Sequence, residues 1–530
     1  MANLMLNVKT AHSTSPSNPW PAAASQKKQS LLLGFLLLSG AVSASGQTTN
    51  HLSVAELERL RLPDVVLESV TPEGASQRQN SHAVPFVNVK GVIGGNIRFE
   101  LLLPEDWNGR FVMGGGGGFV GTVQNSARDS VNRGYATVGT DTGHEWEPGY
   151  MAGWAHDNLE AQLDFGYLAV HRTAEVAKAL IRAYYRGEIA YAYFLGCSRG
   201  GGQAMMESQR YPKDFDGIVA GAPAFNWTGI AATAVAISKV LYPDPHHLEH
   251  PVLDKEALQK LAAGILEQCD AQDGLKDGII ADPAAVQFDL SKVSGLTDEQ
   301  RQAIAAIYCG ASNADGVIYP GYAPAAECVP DQWIAWLVGP VPPLLARDHV
   351  PDLIFAFGTQ IFKYLVFNNP DWDYSTCDFS HFERDTRLAA SFLNATNPDL
   401  DAFKAHNGKL ILWHGWADTA LPAQATVNYY RRVLTHDAHA VDYCRLFLIP
   451  GCLHCGGGPG ATEVDWLSVI VNWVERGQAP ERLVASKTRQ SKTVMTRPLY
   501  PYPETASYKG SGDPDSADSF APKSPSATSR

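Results

Sequence analysis

From about residue 92 onward, short apolar runs alternate with stretches whose apolar residues recur every three or four positions. Ile97–Leu103, Arg110–Met113 and Tyr135–Gly139 read as strands. The span from Leu159 to Tyr185 sets Val170, Ala174, Ala177, Ile181 and Tyr184 on one stripe, which predicts a helix. Tyr191–Leu195 is a β-rich run ending at Gly196, Gly200 to Gln209 reads as a helix, and Gly217–Gly221 as another buried strand. The alternation returns near the C-terminus with strands Lys409–Trp413 and Arg445–Ile449 and helices Ala423–Leu434 and Val464–Glu475. Strands alternating with helices predict a parallel sheet covered on both faces.

Between about residues 224 and 395 the rhythm breaks into a stretch rich in Pro and aromatics, including Trp333, Trp336, Phe362, Tyr364 and Trp372. It reads as a large insertion that divides one α/β domain into residues 45–223 and 396–502. Residues 503–530, rich in Gly, Ser, Pro and Asp, are expected to form an irregular tail. At the other end, Lys27 and Lys28 precede the apolar run Leu31–Leu38, and Val42-Ser43-Ala44 follows with small side chains. That is the pattern of a secretory signal peptide over residues 1–44. The apolar run is too short for an ordinary membrane span, and no later run reaches ~18 residues.

Composition narrows the classes. The 530 residues are 45% apolar and 18% charged, which excludes a disordered chain. The net charge of −13 carries no basic footprint for nucleic acid. Signal cleavage would remove three lysines and no acid, taking the charge to −16. The expected product is a secreted or periplasmic acidic protein, free of the membrane after cleavage, in a compartment where disulfides persist.

Gly196-Cys197-Ser198-Arg199-Gly200 lies between a predicted strand and a predicted helix, the setting of a nucleophile elbow. A hydroxyl needs a base, and the base needs an orienting carboxylate. In α/β-hydrolases these follow in the order Ser, acid, His, on loops after successive strands. Asp418 follows the strand Lys409–Trp413 and His454 follows Arg445–Ile449, so each stands in its required place. His414 is the competing histidine. Cys197 precedes the serine and Cys455 follows His454, so contact between Ser198 and His454 would bring the two thiols within reach of a disulfide. The run Gly114–Gly118 after a strand can present backbone N–H groups at close quarters. Arg199 and Gly116 are the expected oxyanion donors. A P-loop phosphate cradle is excluded, because no G-K-[ST] ending follows the glycine run.

With these residues the chain resembles the secreted tannase and feruloyl esterase family, which includes mono(2-hydroxyethyl) terephthalate hydrolases. The likeness extends over Gly114–Phe119, Thr140–His144, Gly196–Gln203, Phe215–Pro223 and Asn369–Tyr374. It implies an α/β-hydrolase fold with a large inserted lid domain at 224–395, Ser198 as nucleophile, Asp418 as acid, His454 as base, and a Cys197–Cys455 bridge. Asp270, Asp273 and Asp277 crowd one ten-residue stretch, which by composition is either an acidic surface turn or a cation loop. The resemblance implies a structural Ca²⁺ in the lid, held by those side chains and the Leu275 and Ile279 carbonyls. The lid aromatics are expected to be mostly core, with a few, from among Trp333, Trp336 and Phe362, stacking on an aromatic acid. The other cysteines depart from the family: Val286 stands where Cys269 would find its partner, and Cys309 with Cys328 is the expected second bridge.

The expected activity is hydrolysis of esters of feruloyl- or galloyl-type acids, small aromatic ester substrates, through an acyl-enzyme. The alternatives are a non-catalytic binding protein on a hydrolase scaffold and a serine peptidase of the same fold.

Overall fold

The computed structural model describes residues 51–74, 84–147, 151–339 and 350–524, so the expected signal peptide lies outside the described residues. Seven strands precede the insertion: β1 (Val65–Glu73), β2 (Phe86–Ile93), β3 (Ile97–Pro104), β4 (Arg110–Gly114), β5 (Ala136–Thr140), β6 (Tyr191–Cys197) and β7 (Gly217–Gly221). The insertion contributes a small ribbon of β8 (Ala311–Asn313) and β9 (Gly316–Tyr319), and β10 (Lys409–Gly415) and β11 (Cys444–Ile449) follow it. The central sheet has the order β1-β2-β3-β5-β4-β6-β7-β10-β11. From β5 to β11 neighbouring strands are parallel, whereas β1, β2, β3 and β5 pair antiparallel. β7 is buried at every position, which is why it reads as a continuous run of small and apolar residues rather than an alternating one.

The antiparallel wing was only partly legible. β1 and β2 lie before the point where the helix–strand rhythm becomes regular, and β1 is exposed at several positions. The predicted helix from Leu159 to Tyr185 forms in three pieces, Leu159–Leu163, a π-helical turn Asp164–Leu168, and Ala169–Tyr185. The last piece ends at Arg186 in the left-handed region.

The insertion begins and ends at one place. Ala395 N–H donates to Phe225 O at 2.7 Å, and Asn394 Nδ2 donates to Thr228 Oγ1 at 2.8 Å. The segment therefore leaves and rejoins the sheet domain through a single hydrogen-bonded neck, as an inserted lid must.

The tail expected to be irregular is instead ordered through residue 524. Strand Thr505–Tyr508 pairs antiparallel with Phe520–Lys523, and the buried Phe520 ring lies under the Arg497 guanidinium at 4.0 Å. A Gly/Ser-rich composition described the connecting turn and hid the two strands flanking it.

Candidate active site

Ser198 follows β6 and caps the helix Arg199–Arg210, with φ 62° and ψ −124°. Its N–H donates to Gly221 O at 3.0 Å, and its carbonyl accepts from Gly202 and Ala224. The turn is so tight that a Cβ on Gly196 would lie 2.3 Å from Gly200 O. Small flanking residues are therefore a steric requirement, and the strained serine backbone is the form expected of an elbow.

Asp418 and His454 stand on the loops after β10 and β11, as predicted. His454 Nδ1 and Asp418 Oδ2 are 2.8 Å apart. Asp418 Oδ1 accepts the N–H groups of Ala420 and Leu421, and its side chain is fully buried. His414 Nε2 lies 3.2 Å from Asp418 Oδ2. Burial alone would raise the Asp418 pKa, yet the charge and hydrogen bonds of His454 and His414 outweigh it and hold the carboxyl well below the usual range. The competing histidine thus approaches the same carboxylate oxygen as His454. His414 is 1% exposed and turns Nδ1 to Thr426 Oγ1 at 2.8 Å, whereas His454 reaches the cavity that Ser198 lines.

Cys197 and Cys455 form a disulfide, with their Cα atoms 5.8 Å apart. The bridge joins the residue before Ser198 to the residue after His454 and so ties the two loops together. Ser198 Oγ makes no hydrogen bond to His454 here; such contacts often shorten only when substrate is bound.

The shared cavity has a volume of about 680 Å³. The sheet domain contributes Ser198, His454, Phe119 and Trp146 to its walls, and the lid contributes Trp227, Ile230, Trp336, Ile354 and Phe357. Trp336 also packs edge-on against the His454 ring at 5.4 Å. Of the three lid aromatics singled out from sequence, Trp336 alone lines the cavity. Trp333 is fully buried, with Tyr308 beside it, and Phe362 is buried in a stack with Phe367 and Trp372. Phe119, Trp227 and Phe357 also line the cavity, without having been assigned to substrate contact from sequence. Phe119 had a signal, because it closes the glycine run.

The glycine run approaches the helix as expected: a Cβ on Gly115 would lie 2.6 Å from Gly200 Cα. Gly116, however, does not offer a free donor. Its N–H is given to Gln203 Oε1 at 3.1 Å, and that of Gly117 to Gln124 Oε1 at 2.8 Å. The assignment of Gly116 is corrected on that ground. Gly118, at φ 58°, lines the cavity without such a bond. Arg199 opens its helix, so its N–H has no carbonyl a turn earlier to bind.

The acidic stretch folds into a compact loop. Asp270 Oδ1 accepts from Gly278 N–H, Asp273 accepts from Leu275 and Ala281, and Asp277 accepts from Ile279. Asp273, Leu275, Asp277 and Ile279 line a cavity of about 20 Å³. Burial raises the pKa of Asp273 and of Asp277, and Asp270 raises both further. The donors are hard oxygens around a space of single-ion size, which suits Ca²⁺. Arg497, 3.1 Å from Asp277 Oδ2, supplies one positive charge to the same acids.

A second cluster, His171, Glu207 and Asp214, lies between the helices behind β6. Its cation is already present. Lys178 lies 3.7 Å from the Asp214 carboxylate and donates to the Asp214 carbonyl.

The expected bridge between Cys309 and Cys328 is not formed. Cys309 is exposed at the end of the helix Asp298–Cys309, whereas Cys328 is half-buried, with Glu327, Asp270 and Cys269 around it. Cys269 is unbonded too, its Sγ facing Gln287 O at 3.8 Å beside Val286.

A family model described as tannase and feruloyl esterase matches residues 83–522. A probable feruloyl esterase of Arthroderma benhamiae is 34% identical, covering 92% of this chain and 97% of the fungal protein. A mono(2-hydroxyethyl) terephthalate hydrolase of Piscinibacter sakaiensis is 31% identical over 81% of this chain and 82% of its own. Among solved structures, feruloyl esterase B of Aspergillus oryzae superposes with a TM-score of 0.77 at 25% identity, covering 89% of this chain and all of that one.

Proposed function

The chain belongs to the tannase and feruloyl esterase family and is a carboxylic ester hydrolase of the α/β-hydrolase fold, and from that premise we propose that it cleaves esters of aromatic acids through Ser198, His454 and Asp418. The observation that carries this reading is the hydrogen bond between buried Asp418 and His454, joined by the Cys197–Cys455 bridge to the elbow that presents Ser198.

His454 Nε2 takes the Ser198 proton as Oγ attacks the ester carbonyl. Asp418 keeps the Nδ1–H tautomer and balances the imidazolium. The negative oxygen of the tetrahedral intermediate is held by the N–H groups of Arg199 and, in place of Gly116, Gly118. His454 then passes the proton to the leaving alcohol. Water, activated by the same imidazole, releases the acid from the acyl-serine.

An aromatic acyl group is supported by the cavity walls, where Phe119, Trp146, Trp227, Trp336 and Phe357 offer ring faces and edges. A phenolic acid of the feruloyl or galloyl type is the reading favoured by the relatives' names. Secretion or export to the periplasm is supported by the leader over 1–44 and by the disulfide. Asp270, Asp273 and Asp277 with the Leu275 and Ile279 carbonyls would hold Ca²⁺. The ion would neutralise their mutual repulsion and order the lid loop without taking part in chemistry.

The test is a panel of feruloyl, galloyl, terephthaloyl and simple alkyl esters, with matched amides, run on the wild type and on Ser198→Ala. Aromatic esters should be turned over, the amides should not, and the variant should lose at least ~10⁴-fold in kcat. Full turnover by folded Ser198→Ala would sink the assignment.

A further inference from the structure

Arg199 directly follows Ser198, and its side chain is 1% exposed with no carboxylate beside it among the described residues. An isolated buried charge is expensive, so its surroundings must compensate. Nη2 donates to the carbonyl oxygens of Phe165 and Gly166, the latter at 3.1 Å. The guanidinium carbon lies 4.3 Å from the Phe165 ring centre and 5.5 Å from that of Trp227, within range of both π faces. Nε and Nη1 have no hydrogen-bond partner. Two carbonyl dipoles and two aromatic rings therefore take the place of a counter-ion.

The carbonyls come from a particular place. Phe165 and Gly166 lie in the π-helical turn Asp164–Leu168, where i→i+5 pairing displaces the backbone from its regular α-helical pattern. On its other side this turn abuts the lid: a Cβ on Gly166 would meet Phe392 O at 2.5 Å, in the helix Phe382–Leu393 that closes the insertion. Trp227 is the first residue of the helix that opens it. Arg199, the first residue after Ser198, thus contacts the helix that opens the lid and the turn against which the helix that closes it is packed.

We propose that the Arg199 side chain is a positioning residue for ester hydrolysis, fixing the direction of its own backbone N–H against the π-helical turn and Trp227. This rests on the reading of Ser198 as nucleophile and of the Arg199 N–H as an oxyanion donor. An N–H that binds a developing oxyanion acts in the transition state and hardly at all on the ground-state ester. Loosening its anchor should therefore lower kcat and leave KM nearly unchanged. A side chain that served packing alone would move stability and KM without that selectivity.

The experiment compares wild type, Arg199→Met and Arg199→Lys with an aromatic ester, the product acid, and an aryl boronic acid that forms a tetrahedral adduct on serine. Arg199→Met should lower kcat by about 100-fold with KM changed less than threefold. It should weaken the boronate by a similar factor and leave product-acid binding unchanged. Arg199→Lys, keeping the charge but not the planar fork, should recover about tenfold of the loss. Unchanged boronate affinity in a folded Arg199→Met protein overturns the inference, as does an equal loss of boronate and product binding. If Arg199→Met does not fold, Arg199→Lys decides: about tenfold weaker boronate binding with normal product binding supports the role, and wild-type affinity overturns it. A fluorophosphonate probe on the wild type separates the two readings. Failure to label Ser198 removes the premise, whereas labelling with an unaffected Arg199 series removes only this inference.

Discussion

Asp418 of the sheet domain and two acids of the lid are all buried, and their surroundings shift them in opposite directions. Asp418 lies between two imidazoles and two backbone N–H groups, and its carboxyl is held well below the usual range. In the lid, Glu327 faces Tyr308 and Ala325 N–H, and Asp352 faces Tyr242 and the helix start at Phe355. Burial pushes both of these up to about 7, since a hydroxyl and a backbone N–H compensate less than an imidazole does. Of these three acids, the one held down is the one with imidazoles beside it.

The sharpest way to break that contrast is to neutralise the charged member. Asp418→Asn should lower kcat by ~10³–10⁴-fold with the fold intact, because the amide can stabilise neither the tautomer nor the imidazolium. A loss below tenfold would make Asp418 a packing acid like its counterparts in the lid. Next comes the choice between the two histidines on that acid. His454→Gln should remove nearly all turnover, whereas His414→Gln should cost on the order of tenfold, by disturbing how Asp418 is held. The reverse ranking would exchange their roles.

A smaller effect is expected at the bridge between the loops. Cys197→Ala with Cys455→Ala should destabilise the protein by about 2–4 kcal/mol, read as the denaturation midpoint, and should lower kcat in parallel with reduction of the wild type. Smallest are the lid acids. Their folded pKa lies above the unfolded value near 4, so their contribution to stability is complete below about pH 4 and is lost as pH rises towards 7. Glu327→Gln should therefore stabilise the protein at pH 8 relative to wild type by about 1–3 kcal/mol, read from the denaturation midpoint, and should do so much less at pH 4.5. An equal shift at both pH values would show that Glu327 does not hold a proton in the folded state.

What could be read from the chain beforehand was what local spacing encodes. Gly196 to Gly200 sits between an apolar run and an amphipathic one, so strand, elbow and helix follow from neighbours along the sequence. The placement of Asp418 and His454 on loops after successive strands was legible in the same way, and folding sets their side chains 2.8 Å apart. The glycine donor was misassigned because the fate of the Gly116 N–H is decided by Gln203, a residue brought there only by folding. The π-helical turn at Asp164–Leu168 left no trace in an otherwise regular apolar stripe. Likewise, nothing in the spacing of Cys309 and Cys328 reveals that one is exposed and the other is packed near Cys269.

The disulfide between Cys197 and Cys455 has a topological consequence. Its ends are 258 residues apart, and the whole lid lies between them. Oxidised, the chain is a covalent ring with two tails, and the lid is an arc of that ring. A protease that cut the lid once would open the ring and release no fragment until a reductant arrived. During synthesis the ring cannot close before residue 455 has emerged, so the enclosed arc is made in full before it is locked.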